Sequence, residues 1–189
     1  MGAVATQNVT NPALGPLMLD RLQDGDSAVQ AVAAAAGADR FPEYRQLLAI
    51  DSSGTIGIHS GVNVLGLWNA ATGADCAAAG NLLANEGVPS AMVAAFESAT
   101  GSLGDRLVAA MRAGVAEGGE AGPVRSAGLL VVDTLLWPYA DLRIDWLDEG
   151  CPIEAMARAW QVYGPQADQY VARALNPAAA PSFGVPGDK

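Results

Sequence analysis

Apolar and polar positions follow two rhythms along this chain, and the rhythms predict its elements. Residues 2–7 (GAVATQ) are a short apolar run that predicts a buried strand, followed by a turn-rich stretch at 8–12. Leu14, Leu17, Met18 and Leu22 then recur at helical spacing, and Gly25 ends that helix. Asp26 and Ser27 are placed to cap a second helix. Its apolar stripe is Val29, Val32, Ala33 and Ala36, and Gly37 is its stop signal. Residues 41–51 read as a strand, 51–54 as a tight turn and 55–60 (TIGIHS) as the return strand of a hairpin. Residues 68–75 read as loop, and 76–83 as a strand whose small side chains imply a close neighbour.

Two more helices follow, one carrying Val88, Met92 and Phe96, the other Leu103, Leu107, Met111 and Val115. Gly118 and Gly119 break the second, and a loop runs to Pro123. Residues 125–133 (RSAGLLVVD) have a continuous apolar centre, the pattern of a strand covered on both faces. Residues 141–147 alternate, with Leu142, Ile144 and Trp146 on one side and Asp141, Arg143 and Asp145 on the other. Pro152 suits a first helical position before the stripe Ile153, Met156 and Trp160. Gly164 and Pro165 start a last helix with Tyr170, Val171 and Leu175. Helix pairs between groups of strands that include hairpins argue for an α+β fold with antiparallel sheets and outer helices. The chain shows no repeat and no linker, so one domain is expected over 1–175, with a Pro/Ala/Gly-rich arm over 176–189.

Composition narrows the function classes. Hydrophobic residues make up 51% and charged residues 16% of the 189, which excludes a solvating, disordered chain and allows a core without disulfides. Against 20 Asp and Glu stand 10 Lys and Arg, a formal charge of −10. That surface repels phosphate backbones and anionic lipid, so neither nucleic acid nor membrane is an expected partner. Cys76 and Cys151 are read as buried thiols, and one histidine is too few for a Cys/His metal site, so no metal or cofactor is expected. The N-terminus lacks the basic and apolar regions of a signal peptide, and no apolar stretch is long enough to span a bilayer. A cytoplasmic protein is the expectation.

Six segments in one order resemble a bacterial family known only as a domain of unknown function. They are GAVATQ with NPALGP, EYRQLLAID with GTIGIHSG, GNLLA, RSAGLLVVD, DLRIDW and YGPQADQYVARALNP. The resemblance implies the N-terminal-nucleophile (Ntn) hydrolase fold, a four-layer αββα sandwich of two antiparallel sheets between helix pairs. It also implies an amidohydrolase acting on a small amide or peptide bond. In such enzymes the first residue of the mature chain, Thr, Ser or Cys, is the nucleophile and its free α-amine takes the side-chain proton. Family members carry a further Thr-led segment ahead of the GAVATQ strand, whereas this chain begins Met1-Gly2. The expectation is therefore a sandwich lacking its first two strands, with activity impaired for want of that nucleophile. A cut before Thr6 would expose a substitute.

Within that frame His59 is the candidate general base and matches the family's His-Thr-Gly-like segment, here His59-Ser60-Gly61. Its alternation with Ile56 and Ile58 turns it to the side that Thr55 and Gly57 face. The family's cysteine shortly afterwards is replaced by Val62-Asn63-Val64. Asn81, at the end of the small-residue strand, is a candidate donor to a developing oxyanion. Arg45, Arg125 and Arg143 are candidates for gripping a substrate carboxylate, although Asp141 and Asp145 flank Arg143 on its own face. The amidohydrolase competes with a non-catalytic small-molecule-binding or assembly protein of the same fold. A small-molecule substrate is the expected partner. A truncated sandwich would expose a sheet edge and an apolar face, so a homo-oligomer is expected as well.

Overall fold

The computed structural model describes residues 1–185, and its first strand is the opening apolar run, β1 (Gly2–Gln7). The described chain groups into two compact units. One comprises residues 1–100 and 109–123, the other 101–108 and 124 onward.

In the first unit β1, β2 (Gln46–Asp51) and β3 (Ile56–Ser60) form an antiparallel sheet in that order. Val4 lies opposite Ala49, and Leu47 lies between Thr6 and His59. Directly paired residues share a face. One face is covered by α1 (Leu14–Gln23) and α2 (Ala28–Ala38), whose Leu14, Met18, Leu22, Ala31, Val32 and Ala35 bury Leu47 and Ala49. Ser27 and Gln30 form a reciprocal capping box at the start of α2. The Asp51 carboxylate accepts the Ala28 N–H at 3.0 Å and so ties that helix to β2. Contact here is close: a Cβ on Gly57 would stand 2.3 Å from the Ala28 carbonyl oxygen.

β4 (Asn69–Gly73) and β5 (Cys76–Gly80) form an antiparallel hairpin beside this sheet. The expected loop over 68–75 is thus mostly strand. NAATG has no large apolar residue to announce it, and its small side chains instead admit α3 (Val88–Ser98). A Cβ on Gly73 would lie 2.7 Å from Val93 Cγ1. The strand expected over 41–51 starts only at Gln46, because Pro42–Tyr44 is a 3₁₀ turn with Pro42 at its head.

The second unit holds the hairpin β6 (Ala127–Val131) and β7 (Ala140–Ile144) with α5 (Pro152–Tyr163) and α6 (Ala167–Leu175). The segment 125–133 is not covered on both faces. Leu129 and Val131 are buried, but Leu130 and Val132 are 61% and 58% exposed, because the ribbon has α5 on one face only. Trp160 lies against Gly104, in the first turn of α4 (Leu103–Ala116), and its indole N–H donates to Asp105 at 2.8 Å. The Tyr139 hydroxyl donates to Asp168 at 2.8 Å, and desolvation beside that carboxylate pushes it up to about 12. From the arm, Phe183 folds back to place its ring 3.7 Å from the Arg173 guanidinium. Its last part, 186–189, lies outside the described residues.

All strand pairs among the described residues are antiparallel, in sheets of three, two and two strands with helices packed on them. The molecule is thus a mixed α and β protein with small antiparallel sheets. Among the described residues no helix is long and apolar enough to cross a membrane. Neither cysteine forms a disulfide, and both are half-buried rather than buried.

Candidate functional site

Strand alternation decides which candidates meet. Thr6 and His59 flank Leu47 on the helix-covered face of the first sheet. The Thr6 hydroxyl donates to the Asn11 carbonyl at 3.4 Å. The His59 Nε2 lies 2.8 Å from the Pro42 carbonyl, which can only accept, so the proton is on Nε2 and is committed there. Both side chains are therefore engaged on the side away from β5, and the structure does not gather them around Asn81.

The opposite face carries a polar row at one end. Gln7 and Gln46 are directly paired, as are Gln46 and Ser60. Gln7 Nε2 donates to Gln46 Oε1 at 2.6 Å and to the Ala79 carbonyl at 3.2 Å. Gln46, fully buried, donates from Nε2 to the Ser60 hydroxyl at 3.1 Å and to the Gly80 carbonyl at 3.4 Å. Two side-chain amides thus bridge the first sheet to the end of β5. Sequence reasoning missed both glutamines; the signal was a Gln placed directly before the apolar run 47–50, where a buried side chain needs partners.

Asn81 continues from this end of β5. It is half-buried, and its side-chain amide makes no hydrogen bond among the described residues. Leu82 follows in the left-handed region at φ 51°, uncommon for a residue with a side chain. That backbone is held by two neighbours: Leu82 N–H donates to the Leu65 carbonyl at 3.0 Å, and Ala121 N–H to the Leu82 carbonyl at 2.8 Å. Asn8, also left-handed at φ 58° and buried, fixes the facing loop. Its amide donates to the Tyr44 carbonyl at 2.8 Å and accepts from Leu65 N–H at 3.1 Å. A free amide beside a braced backbone can pair with another amide through one donor and one acceptor.

The arginines have other employment. Arg45 forks onto Asp39, with Nε and Nη2 each 3.2 Å from a carboxylate oxygen, and donates to the Val9 carbonyl. Asn11, the Phe41 N–H and Arg45 together hold Asp39 down at about 2 despite its burial. In the second unit Arg125 donates to the Leu147 and Asp148 carbonyls and lies over the Trp146 ring. There too Arg143 pairs with Asp145 at 2.7 Å, both well exposed, on an open concavity lined by β6 and β7. None of the three presents a guanidinium without a protein partner. Among the described residues no group of three or more His, Cys, Asp or Glu could hold a metal ion.

A family model described as a family of unknown function, DUF1028, matches residues 1–156. Among solved structures, the crystal structure of protein SPO2555 from Silicibacter pomeroyi, assigned to the same family, is similar at 30% identity and a TM-score of 0.78. The match covers 88% of this chain and 76% of that one. No curated protein matches the sequence.

Proposed function

We propose that this chain, which belongs to the DUF1028 family of unknown function, recognises a small amide or peptide on an Ntn-hydrolase-like sandwich. Support for the sandwich comes from the layers of the first unit. A helix pair, a three-stranded sheet, a hairpin bridged to it by Gln7 and Gln46, and α3 on that hairpin follow one another. The observation that carries the function is the Asn81 amide, half-buried and, among the described residues, unengaged beside the Gln7–Gln46–Ser60 row. Its donor and acceptor match those of an amide bond and mismatch a carboxylate, which only accepts.

Between the two competing activities, recognition without turnover is the better supported for these residues. The hydroxyl of the row, Ser60, has the Gln46 amide as its partner, while the imidazole of His59 is on the other face. Hydrolysis needs a nucleophile within reach of a base. The test is an amide-resonance titration of the full chain with N-acetylalaninamide, with released ammonia and acetate measured in parallel. Shifts confined to the region of Ser60, Asn81 and Leu82, at least a tenfold loss of affinity in Asn81→Ala, and neither product are expected. Sustained release of ammonia or acetate would instead establish the hydrolase, and no shifts at all would defeat both readings.

A further inference from the structure

The rim of the Asn81 end is apolar, and its composition selects among amides. The loop from Ser60 to Asn69 runs beside the loop after β5. Leu82 N–H donates to the Leu65 carbonyl at 3.0 Å and Leu83 N–H to the Leu67 carbonyl at 2.9 Å. A Cβ on Gly66, itself left-handed at φ 64°, would come 2.9 Å from Leu82 Cδ2, so Leu82 rests on that glycine. On these two loops Val62, Leu65, Leu67, Trp68 and Leu82 are all substantially exposed, Val62 to 84%. Loops usually turn polar side chains to water, and apolar exposure gathered at one place marks a contact surface.

Charge points the same way. Over residues 61–68 and 81–87 the one charged side chain is Glu86, and the nearest turn contributes Glu43, whose carbonyl accepts the Asn63 N–H. Neither loop carries a cation. An anionic ligand would enter against this charge with no cation on either loop to neutralise it.

We infer that the ligand is an uncharged amide bearing a bulky apolar group, its amide on Asn81 and its apolar group on the Leu65–Trp68–Leu82 rim. This rests on the amide-recognition reading and goes beyond it by fixing the substituent and the charge. A tenfold preference needs only about 60 Å² of apolar surface taken from water, well within one aromatic side chain.

Three matched probes test it on the full chain by calorimetric titration: N-acetylphenylalaninamide, N-acetylglycinamide and N-acetylphenylalanine. The first is expected to bind at least tenfold tighter than either other. Leu82→Ala, with Leu65→Ser as an independent second variant, is expected to erase the preference over the glycine amide. Asn81→Ala is expected to weaken both amides alike. Equal affinity for the two amides overturns the apolar-group assignment and leaves amide recognition standing. Preference for the carboxylate overturns the charge assignment. A preference for the phenylalanine amide that survives Asn81→Ala undiminished in affinity overturns the amide role of Asn81 while upholding the rim. Failure of all three probes to bind overturns both readings.

Discussion

Asp39 shows how much one carboxylate organises. It accepts from Asn11 Nδ2 and the Phe41 N–H, each at 2.7 Å, and from the Arg45 fork, and its side chain is 2% exposed. These donors favour the ionised form in the fold, at about 2 against an ordinary 3.8. The lowered value means the folded state binds its proton less readily than the unfolded chain does. Its stabilisation is complete above pH 3.8 and is lost as pH falls towards 2. Asp51, also held at about 2 by the Ser53 hydroxyl and the Ala28 and Thr55 N–H groups, adds to the same acid limb. Asp39→Ala is expected to cost about 2–3 kcal/mol at neutral pH, since several donors lose their acceptor at once. It should also flatten the stability profile between pH 4 and 2. Urea unfolding followed across that range checks both, and an unchanged acid limb would refute the assignment. Residue by residue, chemistry was less legible than position. The side to which His59 turns follows from its alternation with Ile56 and Ile58, but its partner, Pro42, lies 17 positions away on a turn no periodicity announces.

Among elements, the α2–β3 contact is set by an absence. Gly57 faces α2, and any side chain there would meet the backbone of Ala28 and Val29, which cannot swing aside as a side-chain tip would. Gly57→Ala is expected to destabilise the first unit by about 1–3 kcal/mol through overpacking, measurable as a lower midpoint in urea. An unchanged midpoint would mean that α2 can retreat from the sheet at no cost. The legibility of elements follows the same logic of side-chain size. β3, α1 and α3 stand where large apolar residues mark the period, as Leu14, Met18 and Leu22 do. β4 is invisible because alanine, threonine and glycine carry almost no periodic signal. In β6 the run Leu129–Leu130–Val131–Val132 suggests two covered faces, yet Leu130 and Val132 are exposed. A continuous apolar stretch states that a strand exists and leaves open how many layers surround it.

At the scale of the whole molecule the antiparallel pairing and the mixture of helices with small sheets were readable from element order. The division into two units was not, since no change of composition marks residues 100–124. The Asn81 end was half readable. Asn81 itself stood out as an amide after a glycine, while Gln7 and Gln46 stand at strand ends and meet only through pairing across 39 residues. The boundary between the units falls within one helix. α4 is a continuous helix, but Leu103–Val108 belongs to the second unit and 109–116 to the first. Its amides therefore report on contacts of both sets of residues. Deuterium uptake should step at its middle, with the early turns exchanging in concert with α5 and the later turns with α3. Uniform uptake from end to end would mean that the two halves of the helix open together.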